Sequence, residues 1–500
     1  MGDEGGSKRS LDAELVKGVA WTGVANWLAQ ALTWASTLLV VRILTPDDYG
    51  LVALAAVYMG FAVMLSEFGI GLAVVSLRDI TIKQTAQLNA VALMLAGAAI
   101  AGSWALARPL AVYFNTPRLA TVILVLSLGL LFSAISSVSH ALLQKALRFK
   151  YLAMAQVAQS VVGSLTTLAL AYLGAGYWAL ALGHLAGHAA VTAAIVIGSP
   201  CGYAWPRWGE LRSVIQFTRH VLVERIAWYG ATSSDKVVIG KWIGEIPLGI
   251  YSIATTFGLL AVEKVTVLML RVAPAVFSEV QTSPPALLRY LLMMTEGLAL
   301  VTFPISVGLS LVAPDFVHTF LGPQWEEVIV PLQLLGVFGA YQSVTALLPR
   351  LLAVTGDVKH TMQVAVLSLI VMPIAFFVGG QAWGLPGVAA AWLCAYPLTQ
   401  APMYLRLHRR VGLTVGKYVR ALWPAASGAG IMALGVLLLP RWPTFDAMGA
   451  PMRLFVDVTL GAFLYLSVLL VLHFGRLVRI RELLAEVRAS RGAAPAEAAG

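Results

Sequence analysis

Long apolar stretches alternate with short polar gaps along almost the whole of this 500-residue chain. Fourteen of these stretches hold about 20 residues each, the length that a helix needs to cross roughly 30 Å of hydrocarbon. Because a backbone in lipid must satisfy its own hydrogen bonds, each stretch is predicted to be helical. The sequence therefore predicts an all-α polytopic membrane protein with about 14 transmembrane helices, at residues 18–41, 49–65, 85–106, 119–142, 151–173, 177–198, 221–243, 248–270, 291–312, 328–348, 361–378, 385–405, 419–439 and 454–474.

Composition and charge agree with this prediction. The chain is 59% hydrophobic and 12% charged, which leaves no room for a large water-soluble domain. A net charge of +10 would suit nucleic acid, but most of the 34 lysines and arginines fall in alternate gaps. With the N-terminus in the cytoplasm, those gaps are cytoplasmic, as the positive-inside rule requires. The charge thus predicts a topology with both termini in the cytoplasm and argues against a nucleic-acid partner.

The chain contains a weak internal repeat. Residues 41–51 align, 199 positions further on, with residues 240–250. Each copy has a helix end, one cation, an acidic turn with a proline, and a glycine that opens the next helix, Gly50 or Gly249. Six spans separate the copies, so the two lobes have the same orientation and a pseudo-two-fold axis along the membrane normal.

The repeat predicts how the chain is divided. The N-lobe, residues 18–198, holds spans 1–6, and the C-lobe, residues 221–405, holds spans 7–12. Spans 13 and 14, within residues 406–474, lie outside the duplication. Cytoplasmic segments complete the chain: an N-terminal tail at 1–17, a linker at 199–220, and a C-terminal tail at 475–500 that is amphipathic and then disordered.

The span count, the six-plus-six duplication and the run from Lys17 to Leu51 resemble the polysaccharide (O-antigen and exopolysaccharide) flippases. That family belongs to the multidrug, oligosaccharidyl-lipid and polysaccharide exporter superfamily, and the resemblance covers residues 15–474. It implies that an undecaprenyl-diphosphate-linked oligosaccharide is moved from the cytoplasmic to the outer leaflet of a bacterial inner membrane, by alternating access of two lobes around a central cavity. It also implies membrane lipids as partners, with a polysaccharide polymerase and glycosyltransferases as candidate protein partners.

Span 7 carries an unusual concentration of charge: Glu224, Arg225, Asp235 and Lys236. Each charge within a span costs about 2.5 to 3.5 kcal/mol on insertion scales, so such residues usually face a polar interior. Eleven residues at about 100° each come close to a whole number of turns. Glu224 and Asp235 therefore share one helix face, and Arg225 and Lys236 share the adjacent one.

The resemblance implies that spans 1, 2, 7 and 8 line the cavity, and this gives the charged residues their expected roles. Because guanidinium and ammonium groups match phosphate oxygens, cationic and polar side chains are predicted to bind the substrate headgroup: Arg225, Lys236, Lys264, Arg271, Asn26 and Gln30. Carboxylates are predicted to carry a coupling proton or sodium ion: Asp235, Glu224, Glu263 and Glu67. The alternative for each residue is an ion pair that fixes helix packing, or a side chain that snorkels to the interface.

The sequence predicts neither a catalytic centre nor a cofactor beyond the coupling ion. It has no GxxxxGK[ST] phosphate loop, which favours secondary transport or antiport over ATP hydrolysis. His184 and His188 lie four residues apart but lack a third ligand, so no metal site is predicted. Their neighbours Gly183 and Gly187 have the spacing that permits close helix packing.

Two other functions remain open. A small-organic-cation (multidrug) exporter of the same superfamily would rely on carboxylates and aromatic residues, whereas spans 7 and 8 offer four basic candidates. A membrane polymerase or ligase of lipid-linked sugars would need a sizeable outer loop, whereas the longest outer gaps are short, at residues 313–327 and 440–453. Both comparisons favour the flippase.

Overall fold

The computed structural model describes residues 29–67, 69–76, 80–207, 212–438 and 448–476, without the side chains of residues 72, 76, 212–224, 260, 261 and 358. The predicted N-terminal tail, 1–17, and residues 477–500 of the predicted C-terminal tail, 475–500, lie outside the described residues. Within the described ranges the chain forms helices and turns, and no strand. The helices are α1 (Ala29–Ile43), α2 (Pro46–Glu67), α3 (Ile70–Ser76), α4 (Ile82–Tyr113), α5 (Arg118–Leu126), α6 (Leu128–Lys145), α7 (Phe149–Tyr172), α8 (Tyr177–Gly198), α9 (Arg212–Val238), α10 (Glu245–Glu279), α11 (Pro284–Phe316), α12 (Ile329–Thr345), α13 (Leu347–Val354), α14 (Val358–Val411), α15 (Val415–Leu438) and α16 (Ala450–Leu472).

All fourteen predicted spans lie on these helices, although only residues 29–41 of the first are described. By length and hydropathy, ten of the described helical segments can cross a membrane, or eleven when the bent α10 is included. Helix α9 is not among them because its charged residues lower its hydropathy, and α14 carries two predicted spans. The all-α polytopic fold is therefore confirmed. The short helix α3, which follows the second span, was not predicted.

The duplication is visible in the backbone conformation of two turns. Gly176, between the fifth and sixth spans of the first repeat, has φ 57° and ψ −137°. Gly384, between the fifth and sixth spans of the second repeat, has φ 60° and ψ −139° and divides α14 into two segments. A positive φ with this ψ is open almost only to glycine. The same glycine backbone conformation thus occurs between the fifth and sixth spans of both repeats.

Contacts among the Cα atoms divide the chain into two compact units, Met1–Ser252 and Ile253–Gly500. The division reflects packing, whereas the predicted lobes follow the sequence repeat. The first unit holds α1 to α9 and the beginning of α10. The predicted close packing at Gly183 and Gly187 occurs here, because a Cβ atom on Gly187 would lie 3.0 Å from the carbonyl oxygen of Gln159 on α7.

In the second unit an apolar core is built from α10, α11, α13 and α14. Its fully buried members include Phe277, Leu291 and Leu351. At one edge, the Arg406 guanidinium donates two hydrogen bonds to Asp357, at 3.0 Å to Oδ2 and 2.8 Å to Oδ1. This fork holds the pKa of the Asp357 carboxyl below its usual range. The pair joins the beginning of α14 to its last turns, on the side predicted to face the cytoplasm.

A very close helix crossing in the first unit lies between the first turns of α2 and α10, which belong to the repeated hairpins. A Cβ atom on Gly50 would lie 2.0 Å from the carbonyl oxygen of Glu245, and one on Gly249 would lie 1.8 Å from that of Pro46. Because positions 46 and 245 are themselves 199 residues apart, the repeat relates these two contacts to each other. This is the isologous contact expected around a two-fold axis, and only glycine fits it on either side.

Hydrogen bonds between neighbouring residues fix the start of α2 at this crossing. The Asp48 carboxylate accepts hydrogen bonds from the Thr45 backbone N–H at 3.0 Å and from its hydroxyl at 2.8 Å. The Thr45 hydroxyl oxygen in turn accepts from the Asp48 backbone N–H at 3.3 Å. These reciprocal bonds form a capping box, and Pro46 at the first helical position suits the start of a helix.

Replacing Gly249 with alanine should destabilise the protein. The added Cβ atom meets backbone that cannot rotate away, and overpacking of this kind costs about 1–3 kcal/mol. Gly97→Ala is the matched control, because a Cβ atom there has nothing within 4 Å, and helix propensity favours alanine by roughly 0.5–1 kcal/mol. Thermal unfolding of the purified protein in detergent would measure both. An equal loss of stability in the two variants would contradict the close crossing.

Candidate functional site

A polar network surrounds the crossing of α2 and α10. Nη2 of Arg118, at the start of α5, lies 2.8 Å from Asp47 Oδ2 and 3.5 Å from Glu245 Oε1. The Thr116 hydroxyl donates to Glu245 Oε2 at 3.3 Å. Arg118 therefore bridges the acidic turns of the two repeated hairpins. By the predicted topology, this network lies on the outer side of the membrane.

A second cation holds the duplicate hairpin to the first repeat. The Lys241 ammonium group donates to the backbone carbonyl of Tyr113, at the end of α4, and lies 4.5 Å from the centroid of the Tyr113 ring. Such a placement adds a cation–π attraction to the hydrogen bond. Together with Arg118, it ties the hairpin at 239–247 to the α4–α5 connection. Neither residue was among the predicted site residues.

Asp235 is the most buried of the predicted site residues on α9, with 2% of its surface exposed. Its Oδ2 atom accepts a hydrogen bond from the Tyr251 hydroxyl at 2.9 Å, and its Oδ1 atom accepts one from the Lys236 backbone N–H at 2.7 Å. Tyr251, on α10, is fully buried. A buried carboxylate needs such partners, because leaving it unpaired would be costly. Asp235 thus joins α9 to the first turns of α10.

Arg225 lies on the same helix at an exposed position, near the end of α2. Its guanidinium acts electrostatically on the Glu67 carboxyl, the last residue of α2. One turn further along α9, the Tyr229 hydroxyl donates to the backbone carbonyl of Val57 at 2.8 Å. A Cβ atom on Gly60 would lie 2.2 Å from this hydroxyl, so glycine at that position is what lets Tyr229 reach α2. The packing of Tyr229 therefore fixes the part of α9 that carries Arg225 against α2, the helix that ends at Glu67.

Two predicted residues of different roles thus lie on packed neighbouring helices, Arg225 for substrate on α9 and Glu67 for the coupling ion on α2. Lys236 is half-buried on the same helix, and Gln30 is half-buried on α1. Asn26 lies outside the described residues. Glu224 lies on α9, in the stretch whose side chains are not described.

The remaining predicted residues belong to the second unit. Glu263, Lys264 and Arg271 are all exposed on α10. Lys264 and Arg271 are seven residues apart, so they share one face of the helix, and together they form a cationic strip. The predicted candidates are therefore divided between α9 and its surroundings in the first unit and α10 in the second.

A further polar region was missed by the sequence analysis. Helices α1, α7 and α8 enclose an open groove of about 440 Å³ in the first unit, lined by neutral polar side chains. The groove includes Thr33 and Thr37, which share a helix face with Gln30. The rings of His184 and His188 lie on α8 with their centroids 4.4 Å apart and their planes inclined at 47°. No group of three metal-ligating side chains occurs among the residues that the structure describes.

The fold defines a helical multi-pass membrane protein, and comparison with known proteins identifies the family. Residues 39–330 match the family described as polysaccharide biosynthesis protein. Because the match covers more than half of the chain, the chain belongs to that family. The predicted family is confirmed.

Individual relatives and a solved structure agree. The chain is 24% identical to the lipopolysaccharide biosynthesis protein WzxC of Escherichia coli (strain K12) over 422 residues, which are 83% of this chain and 85% of the relative. It is 23% identical to the teichuronic acid biosynthesis protein TuaB of Bacillus subtilis (strain 168) over 481 residues, which are 92% and 96% of the two chains. Its fold matches that of the lipid II flippase MurJ in an inward closed conformation, with a TM-score of 0.73 and 14% identity, covering 93% of this chain and 100% of that chain.

Proposed function

We propose that the protein is a flippase that moves an undecaprenyl-diphosphate-linked oligosaccharide from the cytoplasmic to the outer leaflet of the bacterial inner membrane. It works by alternating access, coupled to H+ or Na+, with both termini in the cytoplasm. Its product would pass to a polysaccharide polymerase, and glycosyltransferases on the cytoplasmic side would supply its substrate. The observation that carries the proposal is the contact between the duplicated hairpins at the predicted outer side, in a chain of the polysaccharide biosynthesis protein family.

The names of similar proteins support this choice of substrate. WzxC and TuaB are named for the biosynthesis of two different polysaccharides, and MurJ is named as a flippase of lipid II. A protein with this fold, MurJ, is therefore named as a flippase of a lipid-linked sugar. These comparisons agree on a general function, transport in polysaccharide biosynthesis. They differ in the glycan that is handled.

The contact between the hairpins suggests how the transport path is closed at the outer side of the membrane. The Gly50 and Gly249 crossing leaves no space between the two hairpins, so the substrate cannot leave there until they separate. Arg118 and Asp47 are about half and one third exposed, at 48% and 34%. Exposed ion pairs contribute only about 0–1 kcal/mol, so this network can hold the closed state without making it hard to open.

The cations near the cytoplasmic half of α9 suit an anionic headgroup. Arg225 is exposed on α9, so it is accessible to a ligand. Lys236, Lys264, Arg271, Gln30 and Asn26 are the further candidates for the same headgroup. Export of a headgroup with two negative charges from a negative interior would gain roughly 4 to 5 kcal/mol at 100 mV, which favours the outward direction.

Arg225→Ala should stop translocation while leaving the amount of protein in the membrane unchanged. The measurement is the amount and leaflet of undecaprenyl-linked oligosaccharide in cells that carry each version. We expect accumulation on the cytoplasmic leaflet for Arg225→Ala, partial recovery for Arg225→Lys, which keeps the charge but not the fork, and normal delivery for Arg409→Ala. Arg409 is the matched control because it is an exposed arginine on the predicted cytoplasmic side.

Two other outcomes of that assay would contradict the proposal. Unimpaired delivery in Arg225→Ala would remove Arg225 from headgroup binding. Accumulation of the lipid-linked sugar on the outer leaflet in cells without the protein would instead identify a polymerase or ligase. An unchanged lipid pool in such cells would favour export of small organic cations.

Asp235→Asn should abolish the dependence of transport on pH or on sodium, because an amide cannot exchange a proton and binds a cation weakly. Tyr251→Phe is the matched control: it removes the 2.9 Å hydrogen bond to Asp235 but keeps the carboxylate. We expect Tyr251→Phe to lower thermal stability and to keep the ion dependence. Unchanged ion dependence in both variants would assign Asp235 to helix packing and leave coupling to Glu67, Glu224 or Glu263.

A further inference from the structure

The groove between α1, α7 and α8 has the chemistry of a ligand site. Its volume of about 440 Å³ lies within the range of about 300–1,000 Å³ that is usual for small-molecule pockets. Side chains with hydroxyl, amide and imidazole groups line it, and among the described residues that form its wall there is no lysine, arginine, aspartate or glutamate. The polar members of its lining include Thr33, Ser36, Gln156, Gln159, Ser160 and His184.

The depth of the groove argues that it does not face lipid. Gln159 lies ten residues from the start of α7, which is about 15 Å along the helix axis and near the middle of a span. Polar side chains at that depth are unfavourable against hydrocarbon and usually face a water-filled cavity or a ligand. Gln156 and His184 are nevertheless exposed in the structure. A polar surface kept open at mid-membrane therefore indicates a ligand or an aqueous path.

Packing within the unit explains only part of this polarity. The Ser36 hydroxyl donates to the backbone carbonyl of Ser164 at 3.0 Å, and the Ser164 hydroxyl donates to Thr33 Oγ1 at 3.4 Å, so these groups join α1 to α7. Gln156 and Gln159 have no such role, because Gln156 Nε2 donates to Gln159 Oε1 at 2.6 Å within one helix. Among the described residues, their amides bond to each other along the wall and not to a neighbouring helix.

The wall offers both donors and acceptors to a neutral ligand. The hydroxyls of Thr33 and Thr37 donate to backbone carbonyls one turn earlier, at 2.9 and 2.8 Å, which leaves their oxygen lone pairs as acceptors. The glutamine amide N–H groups supply donors, and Tyr49 adds an aromatic ring to the lining. Sugar hydroxyls donate and accept alike, whereas a diphosphate would need cations and an organic cation would need carboxylates.

We infer that this groove binds the neutral sugar rings of the substrate, separately from the cations that take its diphosphate. The inference rests on the proposed function and adds a glycan subsite to it. The groove belongs to the first repeat, where the aligned span 1 carries neutral polar residues and the aligned span 7 carries charges. Headgroup and glycan are thus recognised by residues of different chemistry.

The test compares two lipids on the full-length protein in nanodiscs. One probe is undecaprenyl diphosphate that carries the host oligosaccharide, extracted from cells without the polymerase, and the other is undecaprenyl diphosphate alone. The variant Gln159→Leu with Ser160→Ala should bind the glycosylated lipid about tenfold more weakly, since the loss of two ordinary hydrogen bonds amounts to about one decade in affinity. It should bind the bare lipid as the wild type does.

Matched variants keep the test informative. Thr166→Val removes a hydroxyl from the same helix outside the groove lining, and should bind both lipids normally. Gln156→Leu alters an exposed position, so it repeats the test if the double variant fails to fold. Arg225→Ala should lower the affinity for both lipids equally. This result would distinguish recognition of the headgroup from recognition of the glycan.

Three results would overturn the glycan subsite. They are unchanged affinity of the groove variants for the glycosylated lipid, an equal loss for both lipids, and a wild type that binds the bare lipid as tightly as the glycosylated one. The proposed function survives each of these results. A wild type that binds neither lipid would overturn the proposed function itself, and the subsite with it.

Discussion

The contact between the two repeated hairpins is the constraint on which the rest of the first unit depends. Gly50 and Gly249 bring the first turns of α2 and α10 so close that neither position has space for a Cβ atom. Because the contact repeats itself after 199 residues, it fixes the pseudo-two-fold axis at this end. Once α10 begins there, Tyr251 is placed to donate to Asp235, and Arg118 is placed between the acidic turns.

Helix α9 shows how a helix with six charged residues is held within a membrane protein. Asp235 is buried with its hydrogen bonds satisfied, and Tyr229 fixes the helix to α2 through the Val57 carbonyl. Arg225 remains exposed, with the carboxyl of Glu67 nearby. Asp235 is thus a buried charge with a structural partner, whereas Arg225 is an exposed charge that is available to a ligand. This difference is why Arg225 and Asp235 are expected to have different roles.

Much of the fold could be predicted from sequence because the bilayer imposes a simple rule on helix length and hydropathy. The described parts of all fourteen predicted spans lie on helices, and the repeat predicted that positions 50 and 249 correspond. The site was harder to predict. Hydropathy shows that Asp235 is in a span, but only packing shows that Tyr251 covers it. The bridge at Arg118 needs the α4–α5 connection beside the hairpins, which local sequence does not encode. The acidic turns at matching places in the repeat were the available signal.

The groove was missed for a related reason. Serine, threonine and glutamine on α1 and α7 are scattered singly along apolar segments, and single polar residues are common in membrane helices. Gly183 and Gly187 were recognised as packing residues, yet the space beside the packed helices depends on α1 as well. A search for polar residues that share one face, as Gln30, Thr33 and Thr37 do, would have found one wall of the groove.

The central claim is that the repeated hairpins, closed in this structure at the predicted outer side, must separate during transport. The most direct test replaces Arg118 and Glu245 with cysteine, in a chain with Cys201 and Cys394 changed to serine, and joins them with a reducible bis-methanethiosulfonate reagent. The account predicts that cross-linking stops delivery of the lipid-linked oligosaccharide to the outer leaflet and that a reductant restores it. Delivery at the rate of the same variant before cross-linking, with the cross-link complete, would contradict the account.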